Sequence, residues 1–185
     1  MKRLSIAVLG VVAPAVLALA ALALSTVALA HSGATGVVKE RMEQMKATAA
    51  SMKAIGEMMK GATAYDPAVV SAEASKIAAH GGDALTSLFP EGSTQHPSEA
   101  LPAIWTDWDR FSAIAEDLTR YAEALAAGAG NERGGGGGLG GGLGGGLTAS
   151  EPADEDLAAM SPDDLFMKVA TTCSACHEDF RQKKE

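Results

Sequence analysis

The run Cys173-Ser174-Ala175-Cys176-His177 carries the most explicit chemistry in this sequence. Two thiols three residues apart lie on one side of a helix, one turn over the next, and an imidazole follows at once. Cys-x-x-Cys-His is the spacing at which c-type haem is attached. Each thiol can add across one vinyl group of the porphyrin to form a thioether, and the adjacent His177 is then carried under the iron as its proximal ligand. Cys173 and Cys176 are the only cysteines in the chain, so the expected cofactor is haem c, covalent and one per chain. A redox dithiol would want a βαβ pattern beside it, and no convincing strand is read here. A structural zinc site wants about four Cys and His ligands, and only Cys173, Cys176 and His177 cluster. A plain structural disulfide is the remaining reading of the two thiols.

Met1-Lys2-Arg3 is a short basic start, Leu4 to Leu29 is apolar and rich in alanine, and Ala28-Leu29-Ala30 offers a small-residue cleavage site. Residues 1–30 therefore read as a secretory signal peptide. The apolar run is also long enough to span a bilayer, which makes an uncleaved anchor the alternative; Pro14 and the small residues near Ala30 favour cleavage. Export to the periplasm agrees with the cysteines, because thiols there need not stay reduced. Cleavage removes two of the 15 basic residues and none of the 23 acids, so the net charge goes from −8 to −10. Such a chain is not expected to bind nucleic acid or anionic lipid. It would suit a redox partner with a basic patch. The remaining stretch, residues 31–185, is long enough for one domain with one core.

Helical periodicity must position the thiols. Val38, Met42, Met45, Ala49, Met52, Gly56 and Met59 step by four and three, which predicts a helix from Val37 to about Lys60, ended by Gly61. Asp66-Pro67 reads as an N-cap followed by proline at the first helical position, opening a second helix to about Leu88, weakened at Gly81-Gly82. Ile104, Trp108, Phe111, Ala115, Leu118, Ala122 and Leu125 predict a third helix from near Pro102 to Gly128, with Trp105 and Tyr121 flanking the stripe. Ser161-Pro162-Asp163-Asp164 starts the last helix with a cap, a proline and acids in the first turn. On it Phe166, Val169, Cys173, Cys176 and Phe180 form one apolar face. Four amphipathic helices with mostly short links make an all-α fold, an antiparallel up-down-up-down four-helix bundle, with haem in its core anchored on the last helix.

Residues 128–147 hold 13 of the 21 glycines. No packed core can be built from them, so about 128–160 reads as a flexible insert outside the fold. A phosphate-binding loop would need a preceding strand and a following Lys-Ser/Thr, and both are missing.

A haem site on the last helix of a four-helix bundle resembles the class II c-type cytochromes: the high-spin cytochrome c′ proteins and their low-spin Met/His-ligated relatives. The resemblance is carried by VKER (Val38 to Arg41) with Met45 one turn on, KGATAYDP (Lys60 to Pro67), LFP (Leu88 to Pro90), Ile104-Trp105, and CSACHEDFR (Cys173 to Arg181). It spans most of residues 37–183 apart from the glycine-rich insert, which departs from the family pattern. It implies that Cys173 and Cys176 anchor the haem, that His177 is the proximal ligand, and that Met45 faces the sixth coordination site. Arg41 and Arg181 match basic positions near the haem edge and proximal side, where they tune the haem or pair with a propionate. It also implies a homodimer through the first two helices.

Two functions follow from whether Met45 bonds the iron. If it does, the haem is low-spin and the protein is a periplasmic electron carrier, since Met/His ligation raises the potential. If it does not, the iron is open to small gases such as NO or CO. A haem-free dithiol protein is the third reading. His80 and His96 are expected to face solvent rather than iron. The sequence shows no nucleophile–histidine pair and no carboxylate pair at a site, so an enzyme is not expected.

Overall fold

The computed structural model describes residues 33–134 and 157–183; the expected signal peptide and most of the glycine-rich run lie outside them. The described elements are α1 (Gly36–Met59), α2 (Pro67–Ala78), α3 (Gly82–Thr86), α4 (Ala103–Thr106), α5 (Trp108–Gly128) and α6 (Pro162–Phe180). No strand forms among the described residues; an isolated antiparallel bridge joins Ala100 to Arg181. No helix among them is long and apolar enough to cross a membrane.

The expected helix starts form as read. The Asp66 carboxylate accepts from the Ala68 and Val69 amides at 2.9 and 3.3 Å, with Pro67 at the first helical position. Ser161 Oγ accepts from the Asp164 amide at 3.1 Å. Each side chain satisfies amides that the first helical turn leaves without a partner. Gly61, at φ +73°, closes α1 in the left-handed conformation that favours glycine.

The second helix is not continuous to Leu88. It stops at Ala78, and α3 restarts at Gly82. The cause is a close approach: a Cβ on Gly81 would lie 2.9 Å from the Thr119 amide nitrogen and 3.0 Å from the Ala115 carbonyl oxygen. The chain can touch the α5 backbone here because Gly81 has no side chain. Thr119 Oγ1 donates to the Ala78 carbonyl at 3.3 Å, which helps terminate α2. The third helix is likewise interrupted, at Asp107 (φ −134°, ψ 53°). The break turns Trp108 outward, 39% exposed, while Tyr121, expected beside the stripe, is buried.

α1 packs on α2, α2 and α3 on α5, and α5 on α6, whereas α1 and α6 meet sparsely. The core has two parts. One gathers Ile55, Val70, Ile77, Leu125, Leu165 and Val169; the other gathers Leu85, Phe89, Ile104, Phe111 and Phe180. Cys173 packs against the first and Cys176 against the second.

The flanks of the expected insert belong to the bundle. Tyr65 donates to the Ala129 carbonyl at 2.7 Å, and Asn131 donates to the Ala158 and Met160 carbonyls at 3.0 and 2.9 Å. Leu157 is buried in the first core group. Arg133 donates to both oxygens of Asp163, at 2.9 and 2.6 Å, and to the Met59 carbonyl at 3.0 Å, and its guanidinium lies 4.7 Å over the Tyr65 ring. It thereby ties the end of α1 to the start of α6. The side chains of Asn131, Arg133 and Leu157 hold these flanks in place.

Gly81→Ala keeps an ordinary backbone angle (φ −94°) but forces a methyl into the α5 backbone. It should cost about 1–3 kcal/mol, read as a lower urea midpoint with an unchanged slope. A stability equal to wild type would mean that the contact between Gly81 and α5 is not tight.

Candidate haem site

A cavity of ≈ 610 Å³ is lined from α1, α5, α6 and the segment between α3 and α4. Its wall includes Arg41, Met45, Cys173, Cys176, His177 and Arg181, so all the residues singled out in the sequence meet in one place. The volume falls within the usual range for cofactor pockets, about 300–1,000 Å³.

α6 presents the attachment residues. Its helical repeat puts Cys173 and Cys176 on successive turns facing the cavity, and His177, the next residue, also lines it. No disulfide joins Cys173 to Cys176. Burial raises the Cys173 thiol, and burial first, then the charges of Cys173 and Asp179, push Cys176 up to about 11. Dithiol exchange depends on a lowered thiol pKa, so this environment runs against that reading. Burial, with Arg181 adding to it and Glu99 opposing, lowers His177. That shift favours the neutral imidazole, the form that has a ring-nitrogen lone pair for a metal. Among the described residues, no group of three or more His, Cys, Asp or Glu side chains converges as a metal cluster.

α1 presents a second face of the cavity. Met42, Met45, Ala49 and Met52 line it, so the methionine stripe read from the sequence is the cavity face. The buried residues of α1 are Val38, Arg41, Thr48, Ser51, Ile55 and Gly56, and of these Arg41 and Thr48 also line the cavity. Met42 is 43% exposed.

Arg41 is 5% exposed. Its guanidinium donates to the Ser93 carbonyl at 2.7 Å and Ser98 Oγ at 3.0 Å, with longer contacts of 3.4 Å to the Leu88 carbonyl and Ser93 Oγ. It also lies 4.3 Å over the Phe89 ring. These partners are neutral, and burial lowers its pKa. A desolvated cation on the wall of an apolar cavity suits a ligand that carries carboxylates. Arg181 behaves differently. Its Nε donates to Glu99 at 2.9 Å, and backbone bonds from Leu101 to Phe180 (2.9 Å) and Gln182 to Glu99 (2.8 Å) strap the segment around residue 100 to the end of α6.

His80 is not solvent-facing as expected. It is half-buried, its Nδ1 is 3.0 Å from Thr48 Oγ1, and its carbonyl accepts from Gln44. His96 is exposed. Neither lines the cavity. Ser93, Ser98 and Glu99 were not anticipated, because they meet Arg41 and Arg181 only through the fold and share no spacing with them.

The Cytochrome C′ family model matches residues 36–137, more than half of the chain. The chain belongs to the cytochrome c′ family. That match ends before α6, so the Cys173–His177 motif is an independent observation. Cytochrome c-556 of Agrobacterium tumefaciens (strain II Chrys) is 30% identical over 151 residues, which cover 80% of this chain and 99% of that protein. Cytochrome c′ of Rhodopseudomonas palustris is also 30% identical, over 81% of this chain and 84% of its own length. The solved structure of cytochrome c′ from Rhodopseudomonas palustris superposes with a TM-score of 0.60 at 26% identity and covers 82% of this chain and 100% of that one. The fold is the four-helix bundle of the cytochrome c′ family, and the cofactor is haem c, held covalently. The cavity of this chain fits it: two thiols on adjacent turns, an imidazole, a thioether from a second helix and a buried cation on one apolar wall.

Arg41→Met should lower stability by about 2 kcal/mol, because it strips donors from buried carbonyl and hydroxyl oxygens. The urea midpoint of the haem-loaded chain measures this, and hydrogen exchange should quicken at Ser93 and Ser98. Unchanged protection in that segment would mean that Arg41 does not organise it.

Proposed function

We propose that this chain is a periplasmic one-electron carrier in which Cys173 and Cys176 would tether haem c and His177 and Met45 would supply donors to its iron. What supports this is that Met45 on α1 and the attachment residues on α6 line the same cavity. When bound, haem supplies a reversible one-electron couple. The chain's own residues do the rest. Cys173 and Cys176 fix the group to α6, while the His177 and Met45 side chains offer one nitrogen and one sulfur donor. That pair raises the potential. Leu85, Phe89, Ile104, Phe111 and Phe180 exclude water from the cavity wall. Arg41 offers a positive charge for a propionate, and Arg181, held by Glu99, sits on the same wall as His177. Residues 1–30 are the export signal in this proposal.

A second reading is a gas-binding protein with an open sixth position, and the apolar lining around Met45, Leu85 and Ile114 favours it. It would need Met45 to serve only as packing, a common use of methionine.

The visible spectrum decides between them. Under the carrier reading, the reduced protein has sharp low-spin bands that do not respond to CO. Met45→Leu should then give a broad high-spin Soret band that shifts with CO. A wild-type reduced spectrum that already shifts with CO would replace the carrier reading with the gas-binding one.

A further inference from the structure

Trp108 is out of keeping with the helix that it begins. It falls on the apolar stripe of α5, yet it is exposed, because the backbone break at Asp107 turns it outward. The aromatic residues next to it lie inside. Phe111, Phe180 and Phe89 are all buried and all line the haem cavity. Their rings are in contact: Trp108–Phe111 centroids are 5.6 Å apart, Phe111–Phe180 5.4 Å and Phe111–Phe89 4.9 Å. One phenyl ring therefore separates a solvent-exposed indole from the cavity.

The surface around Trp108 is acidic. Asp107 and Asp109 flank it in the chain and are exposed. Arg110, the nearest cation in sequence, is held by Asp179 through two donor contacts, one of them Nε at 2.9 Å. Its charge is thus largely offset. The chain as a whole carries −8.

We propose that Trp108 and its acidic rim are the docking surface for a basic one-electron redox protein, with Phe111 and Phe180 as the packed bridge between that surface and the haem cavity. This rests on the electron-carrier reading and names its partner side. Tryptophan is enriched among the residues that dominate binding energy. Electron-transfer encounters bury little area, so a single indole anchor within a charged rim is enough. The rim's charge steers a cationic partner towards it, most strongly at low salt. In the step itself one electron leaves the reduced cofactor of this chain, which becomes ferric, and the partner's oxidised cofactor gains it. No bond is made or broken and no proton moves.

The test uses the haem-loaded chain and ferric mitochondrial-type cytochrome c, a basic one-electron acceptor, in stopped flow at low ionic strength. Ferricyanide serves as a small anionic acceptor for comparison. Trp108→Ala should slow transfer to cytochrome c by about fivefold or more, with the visible spectrum, the midpoint potential and the ferricyanide rate unchanged. Trp108→Phe should retain most of the rate. Asp107→Asn with Asp109→Asn should slow the reaction and flatten its salt dependence. In an NMR titration with redox-silent zinc-substituted cytochrome c, amide shifts should concentrate at residues 107–112 and 178–181. If Trp108→Ala reacts with cytochrome c as fast as wild type, or the shifts fall elsewhere, the docking surface is wrong while the carrier reading stands. If wild type passes electrons to neither acceptor, the carrier reading falls and the surface falls with it.

Discussion

A four-helix bundle buries the most apolar surface when each helix packs along its whole length, and here one seam cannot close. α1 and α6 meet sparsely, because the face of α1 that carries Met42, Met45 and Met52 and the face of α6 that carries Cys173 and Cys176 both line the same cavity. The other contacts must hold the bundle together around that gap. They do so with a core in two parts, one on each side of the thiols, so that Cys173 and Cys176 each rest on packed side chains. A large flat cofactor on this wall replaces helix–helix packing with helix–haem packing.

The two ends of the bundle are specialised differently. At the end where α1 finishes and α6 starts, Arg133 joins Asp163, Tyr65 and the Met59 carbonyl. Asn131 and Leu157 add further ties beside it. These ties lie on residues 128–134 and 157–160, the described flanks on either side of the glycine-rich run. At the other end, polar side chains are brought in and matched. Arg41 is buried, but its donors reach carbonyl and hydroxyl oxygens. Among the described residues no buried side-chain nitrogen or oxygen lacks a partner. A satisfied network of this kind can hold a positive charge against an apolar wall without an acidic partner at its side.

Much of the site was legible in the sequence because its members are tied to local periodicity. Cys173, Cys176 and His177 sit within five residues on one helix, and Met45 sits on a stripe that steps by four and three. The helix starts at Asp66 and Ser161 were legible for the same reason, since a cap acts within its own turn. The errors came where distant segments touch. The second helix breaks because Gly81 meets α5, and Trp108 turns out because the backbone bends at Asp107. The buried residues of α1 lie partly off the methionine stripe, because α1 also packs on α2.

From residue order alone came the haem chemistry, the helical class, the capped helix starts and the residues to watch, because each depends on spacing within a few turns. Only the tertiary structure decided that Arg41 is buried against Ser93 and Ser98, that Glu99 holds Arg181, and that Thr48 meets His80. It also decided that an exposed indole lies one ring from the cavity. The partners of Arg41, Arg181 and His80 lie tens of residues away and follow no period, so nothing in the local pattern announces them. These contacts exist because packing four helices around a cavity fixes which surfaces face each other.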